Sequence, residues 1–197
     1  LHDALPIYTR FEKEHFFLQH CKRLGITKVP KLIAADTSCK SWIFMEWING
    51  TPLQEIKNSN IREITDFIGE INNNCRRELK NAPRATENIE NPKSIVSQLI
   101  KREKEMVDIL DGIDTSAEFR KWSVNTLRVS TIDRINKFEQ EISREHWKRD
   151  GTDDILSPSD VGIHNTISCI DGLRFIDFEF GGLDDPCKLL ADWVLQP

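Results

Sequence analysis

The sequence predicts an α+β chain: a small mixed region comes first, then a mainly helical region that carries a β-hairpin. Three observations predict it. Residues 10–24 show helical spacing of apolar side chains and lead into two short apolar runs, 31–35 and 42–48. Most of 61–147 keeps a helical period. Between 166 and 178 the period changes, and Asp171-Gly172, a two-residue hairpin signal, separates two short strands.

Residues 1–7 fit no element that follows and read as a non-native leader. In the helix 10–24, Phe11, Leu18 and Cys21 form the apolar stripe and Phe17 widens it; Gly25 stops it and Pro30 follows. Asp36-Thr37-Ser38 turns the first apolar run back toward the second. Gly50-Thr51-Pro52 breaks the pattern. Thr51 is expected to cap the next helix, with Pro52 at its first position and Gln54 completing a capping box. The boundary falls here, with 8–50 the remnant of a first lobe and 51–197 a second. Ile61, Ile64, Ile68, Ile71 and Cys75 mark a helix, and 81–91 a polar loop. Val96, Leu99, Ile100, Val107 and Leu110 mark another helix over 93–110. Thr115 with Glu118 opens a long helix to about residue 147, with Phe119, Trp122, Ile132, Ile135, Phe138 and Ile142 inward. A last helix is expected over 186–195.

Bulk properties exclude several classes. No apolar run approaches the ~20 residues that span a bilayer. The net charge of −5 and the lack of basic residues interleaved with aromatics argue against a nucleic-acid binder. Cys21, Cys39, Cys75, Cys169 and Cys187 are irregularly spaced, form no zinc pair, and read as reduced thiols of a cytoplasmic protein. From Asp150 onward ten acids face only Arg174 and Lys188. That is either a solvated acidic surface or a cleft for a metal ion or a cationic substrate.

The hairpin concentrates the chemistry. With its turn at Asp171-Gly172, Ile170 faces Leu173 and Thr166 faces Asp177. Asn165 then lies one rung from Asp177, with Cα atoms within about 5–8 Å. Asp160 is on the loop entering the first strand. Strict alternation sets Asn165 and Asp177 on opposite faces, so their convergence requires pairing to end or bulge there. A carboxylate and an amide suit Mg²⁺, which takes oxygen ligands and keeps water and phosphate in its shell. A second carboxylate nearby can orient a hydroxyl and take its proton, the layout of phosphoryl transfer. Plain structural readings stand beside these: Asp160 as a turn cap, Asn165 as a turn residue, Glu179 as a solvent-facing acid, His164 as a packing residue. An unpaired Asp177 in an apolar strand is harder to explain that way, because burial of a lone carboxylate is costly.

Asp160-Val161-Gly162-Ile163-His164-Asn165 has the spacing D-x4-N, and Ile176-Asp177-Phe178-Glu179 reads I-D-F-E. Together they resemble the motifs H-x-D-x4-N and I-D-[FW]-E of the aminoglycoside/choline phosphotransferase family. Asp184-Asp185-Pro186 with Leu189-Leu190-Ala191-Asp192 is similar to that family's D-P-x-x-D-L-A continuation. The resemblance covers about Tyr8 to the end. It implies a protein-kinase-like fold, ATP and Mg²⁺ as cofactors, and a small-molecule hydroxyl as acceptor. It implies Asp160 as catalytic base, Asn165 and Asp177 as Mg²⁺ ligands, Glu179 as a second metal or supporting acid, and Asp185 as a loop-bracing acid. Trp42 to Gly50 resembles the family's strand and hinge. Glu46 and Ile48 then supply backbone contacts to adenine, Met45 packs nearby, and Glu14 is the acid that pairs with a phosphate-binding lysine. Pro158 stands where the family has histidine. No glycine-rich loop or strand lysine precedes Glu14 in this sequence, which reads as N-terminal truncation. The alternative is a nucleotide-binding pseudokinase or regulatory module. A protein kinase ranks last, for want of D-F-G and A-P-E. Among acceptors, aminoglycosides, choline-like amines, amino alcohols and sugars all stay open.

Overall fold

The computed structural model describes residues 7–73, 78–112, 116–145 and 153–195. The expectations for residues 1–6, Cys75, Thr115 and Trp147 lie outside the described residues. α1 (Ile7–Leu24) ends at Gly25, whose φ of +70° suits a residue without Cβ, and Lys22 and Arg23 in its last turn complement the helix dipole. β1 (Leu32–Ala35) and β2 (Ile43–Met45) form an antiparallel hairpin. Its register slips between Leu32 and Ala34, so Leu32 faces Met45 while Ala34 faces Phe44.

The expected cap at Thr51 is not there. Thr51 and Pro52 form a short strand, β3, which pairs with Ser168 and Ile167. Gly50 permits this: a Cβ at that position would lie 2.6 Å from the Ser168 carbonyl oxygen and from Ile167 Cγ2. Only a glycine lets the chain lie this close, and the strand pairing then takes the backbone groups a helix start would have used. α2 begins later, at Asn58, and runs to Asn72 with Ile64, Phe67 and Ile71 buried.

Residues 89–152 form a compact unit of their own. It contains α3 (Pro92–Gly112), α4 (Ala117–Trp122), a π-helical stretch (Ser123–Arg128) and α5 (Val129–Glu145). The expected long helix is thus interrupted by a wide turn. It is capped by Ser116, whose hydroxyl accepts the Phe119 N–H at 3.2 Å. α3 packs on α5, and Val96 and Ile135, with Pro92 at the start of α3, are buried apolar side chains of this unit.

Residues 1–88 and 153–197 make up the other unit. Beyond α1, α2 and β1–β3 it contains β4 (Ile155–Ser157), a 3-10 turn (Ile163–Asn165), β5 (Thr166–Cys169), β6 (Gly172–Phe175), β7 (Gly182–Asp184) and α6 (Pro186–Leu195). β3, β5 and β6 make one sheet and β4–β7 another. β4 and β7 were not legible in the sequence, because three residues carry too little alternation to register. β4 is held by Asn72, whose side-chain amide accepts the Leu156 N–H (2.8 Å) and donates to the Leu156 carbonyl (3.0 Å), imitating a neighbouring strand.

The core of this unit is aromatic. Phe17 of α1 stacks on Phe178 (centroids 4.2 Å apart), and Phe67 of α2 stacks on Phe175 (4.3 Å) and touches Phe178 (6.4 Å). Two helices thereby clamp the residues on either side of Ile176-Asp177. Each such pair contributes roughly 0.5–1.5 kcal/mol beyond the area it buries. Among the described residues no helix is long and apolar enough to cross a membrane.

Candidate active site

The hairpin register differs from expectation by two residues. Cys169 faces Gly172 and Thr166 faces Phe175, so the turn residues are Ile170 and Asp171, and Gly172, at φ +116°, opens β6. Thr166 therefore does not face Asp177. Glu63 of α2 pins this turn by accepting the Leu173 N–H at 2.8 Å. A shift of two leaves every side chain on its expected face. The last rung is the Ile176 N–H donating to the Asn165 carbonyl at 3.0 Å. Beyond it regular pairing ends. Asn165 closes the 3-10 turn, and Asp177 takes φ +66°, a left-handed conformation uncommon outside glycine. The break that convergence of Asn165 and Asp177 requires thus lies between them.

Asn165 is buried, and its Nδ2 donates to the Asp160 carbonyl at 3.1 Å. This fixes the amide by its nitrogen and sets Oδ1 on the side away from that bond. Asp160 follows a tight turn in which its own N–H donates to the Pro158 carbonyl (2.9 Å), with Ser159 at φ +64°. The Asp160 carboxylate lies 3.0 Å from His164 Nε2. Left-handed φ at two non-glycine residues, one in each motif, is the kind of local strain that concentrates at functional sites.

An apolar-walled cleft of about 1120 Å³ lies beside this end of the hairpin. Glu14, Met45, Glu46, Ile48, Asp177 and Glu179 all line it; Asp160 and Asn165 do not. The Glu46 N–H is spent on the Lys31 carbonyl (2.9 Å) and its carboxylate accepts the Lys31 N–H (3.2 Å). Among the described residues, the Glu46 carbonyl and the Ile48 N–H have no protein partner.

From one helical face α1 presents Arg10, Glu14 and Phe17 to the segment 178–180, and Lys13 to Thr86. Arg10 pairs with Glu179 (2.9 Å) and lies over the Phe180 ring. Lys13, buried, donates to the Thr86 hydroxyl at 2.6 Å, and burial lowers its pKa. Glu14 accepts the Phe178 N–H. Burial pushes the Glu14 carboxyl up to about 7, against the pull of that hydrogen bond, and the charges of Asp177 and Glu179 add to the rise. Glu179, expected as a metal-site acid, is engaged by Arg10.

Among the described residues no cluster of three His, Cys, Asp or Glu side chains stands ready to hold a metal.

The sequence had drawn attention to Asp185 rather than Asp184. Asp185 caps α6, accepting the N–H groups of Cys187 (2.7 Å) and Lys188 (3.3 Å). Asp184 is the buried acid, placed against Lys188 at 3.5 Å. Arg10 and Lys13 were findable from their spacing with Glu14 and Phe17. Thr86 carried no signal, because only the fold brings it to α1.

No family model and no curated protein sequence matches the chain. Among solved structures, a choline kinase from Cryptosporidium parvum Iowa II is similar, with a TM-score of 0.55 and 17% sequence identity over 84% of this chain and 46% of that one. The chain thus spans about half the length of that choline kinase. At this identity the likeness is one of fold: small sheets and helices in a mixed α+β, kinase-like arrangement.

Proposed function

We propose that the chain belongs to an ATP-dependent kinase that transfers the γ-phosphoryl group to a hydroxyl of a small molecule. The observation that carries this is the end of the β5–β6 ladder. There a D-x4-N turn and the I-D-F-E segment meet, pairing breaks between Asn165 and Asp177, and Asp177 lines an apolar cleft.

In this reading Asn165 and Asp177 hold Mg²⁺, which when bound neutralises charge on the nucleotide phosphates. Asp160 accepts the acceptor's hydroxyl proton, and His164 at 3.0 Å orients the carboxylate. Glu179, braced by Arg10, supports the metal side. The Glu46 carbonyl and Ile48 N–H bind adenine with Met45 beside it, and Glu14 receives the lysine that holds the phosphates. Residues 8–50 serve the nucleotide and 51–197 carry the catalytic residues and acceptor site. The likeness to choline kinase and the acidic C-terminal third favour a small cationic alcohol as acceptor, handled in the cytoplasm.

The test is phosphate transfer from γ-labelled ATP to a panel of amino alcohols. Asp160→Ala should lower turnover by about 10²–10⁴-fold, the usual contribution of a general base, with Mg·ATP binding unchanged. Asp177→Ala should weaken Mg·ATP binding in calorimetry. Unchanged turnover in the first variant and unchanged binding in the second would sink the assignment. A second reading, a nucleotide-binding pseudokinase, is favoured by one observation: among the described residues Glu14 is buried without a basic partner. Mg·ATP binding without any phosphate transfer by the intact chain would select it.

A further inference from the structure

The Asp160 turn is strained, and the proline before it occupies the position where related motifs carry histidine, so something else must hold it. Two hydroxyls do so. The Ser159 N–H donates to Ser157 Oγ at 3.0 Å, and Ser159 Oγ donates to the Phe180 carbonyl at 3.0 Å. Ser157 itself is buried and fixed in β4 opposite Gly182.

The Phe180 carbonyl is a junction. It also accepts the Thr86 N–H at 2.9 Å, and the Thr86 hydroxyl in turn accepts from buried Lys13 at 2.6 Å. The segment carrying Thr86 lies hard against β7. The Leu183 N–H donates to the Pro83 carbonyl (2.8 Å) and the Ala85 N–H to the Leu183 carbonyl (3.1 Å). A Cβ on Gly182, at φ +156°, would sit 2.5 Å from the Pro83–Ala85 backbone. One carbonyl therefore joins three parts of the chain that are distant in sequence: α1 through Lys13 and Thr86, the Asp160 turn through Ser159, and the strand end after Asp177.

We infer that Ser159 is a positioning residue, which holds the Asp160 turn by its hydrogen bond to the Phe180 carbonyl and so ties that turn to the segment α1 also grips. The inference rests on the kinase reading for its consequence in catalysis, but the tether is a property of this chain's own residues. A serine placed only for packing would need no left-handed φ and no aligned donor. Here the φ of +64° aims the hydroxyl at a carbonyl 21 residues away in sequence.

The experiment is hydrogen exchange on the full chain, without ligand, comparing wild type with Ser159→Ala and Ser159→Asn. Asparagine tolerates left-handed φ and can donate to the same carbonyl. In Ser159→Ala the amides of 159–165 should exchange at least about tenfold faster, as expected for the loss of roughly 1.4 kcal/mol of local stability, while α2 amides stay within twofold. Ser159→Asn should restore most of the protection. Exchange in 159–165 that is unchanged in Ser159→Ala, or raised equally throughout the chain, overturns the tether. If Ser159→Ala fails to fold, Ser159→Asn carries the comparison: protection kept supports the tether, and protection lost overturns it. In phosphate transfer, Ser159→Ala should lower kcat about tenfold or more at a constant KM for ATP, the size expected for a misaligned base. Turnover that persists in Asp160→Ala would remove the kinase reading and leave the exchange result to decide the tether.

Discussion

The two compact units of this protein are built differently. The described part of residues 1–88 with 153–197 gathers fourteen buried apolar side chains into one cluster, centred on Phe17, Phe67, Phe175 and Phe178. The described part of 89–152 buries Val96 and Ile135, and leaves Ile100, Phe119, Trp122 and Val129 about half exposed or more. Side-chain hydrogen bonds differ too. Besides local turns such as Asp36 with Ser38 and Cys39, the first unit has bonds between segments far apart in sequence, as Lys13–Thr86, Glu63–Leu173 and Asn72–Leu156 are. Among the described residues of the second, local caps and i,i+4 bonds occur, such as Ser116 with Phe119 and Thr131 with Leu127, with one ion pair, Arg128–Glu103, between helical segments. The proposed site, which needs Asp160, Asn165 and Asp177 held in fixed places, calls for the first kind of construction, because long-range bonds and close packing determine where a loop sits. Local helix bonds determine only that a helix forms.

The largest expected effect tests that contrast directly. Phe67→Ala removes a fully buried ring that stacks on Phe175 and touches Phe178, and should cost about 3–5 kcal/mol in denaturant unfolding. Ile132→Ala, at a side chain 40% exposed, should cost under about 1 kcal/mol. Equal losses would erase the distinction between the units.

Next in size is a pH effect confined to the first unit. Glu14 in the folded chain titrates near 7, above its ordinary value of 4.5, so the folded state binds this proton more tightly than the unfolded state does. Below pH 4.5 both states are protonated and nothing is lost. As pH rises from 4.5 through 7 the buried carboxyl ionises at a cost that reaches about 3 kcal/mol, the free energy that separates two such titration midpoints. Glu14→Gln keeps an acceptor for the Phe178 N–H and carries no charge. Without divalent cation or nucleotide it should be more stable than wild type at pH 8 and nearly equal to it at pH 5. An equal difference at both pH values would show that burial does not govern this carboxyl.

The smallest effect belongs to the helical unit. Arg128 Nε lies 2.6 Å from the Glu103 carboxylate, joining the π-helical stretch to α3, but the arginine is 43% exposed. Arg128→Gln should cost no more than about 1 kcal/mol, as solvent-screened pairs do. A loss comparable to that of Phe67→Ala would show that the unit depends on this ion pair.

The sequence by itself determined the elements whose signals are local and the chemistry written in short motifs. α6 begins and ends where Pro186 and the apolar run predict it, and α1 stops at Gly25, because capping, proline geometry and helical period act within a few residues. The D-x4-N and I-D-F-E spacings were legible for the same reason. What only the tertiary structure decided is whatever depends on a partner distant in the chain. Thr51 and Pro52 went to a strand because β5 was there to receive them, overriding a good capping signal. The hairpin turn moved to Ile170-Asp171, where Glu63 from α2 could take the Leu173 N–H and Phe175 could stack on Phe67. Thr86 and Ser159 meet at one carbonyl that no period or motif announces. Helix starts and turns involve free energies of about 1 kcal/mol each, and burial of an aromatic ring in a close-packed core involves several, so where the two compete the core decides.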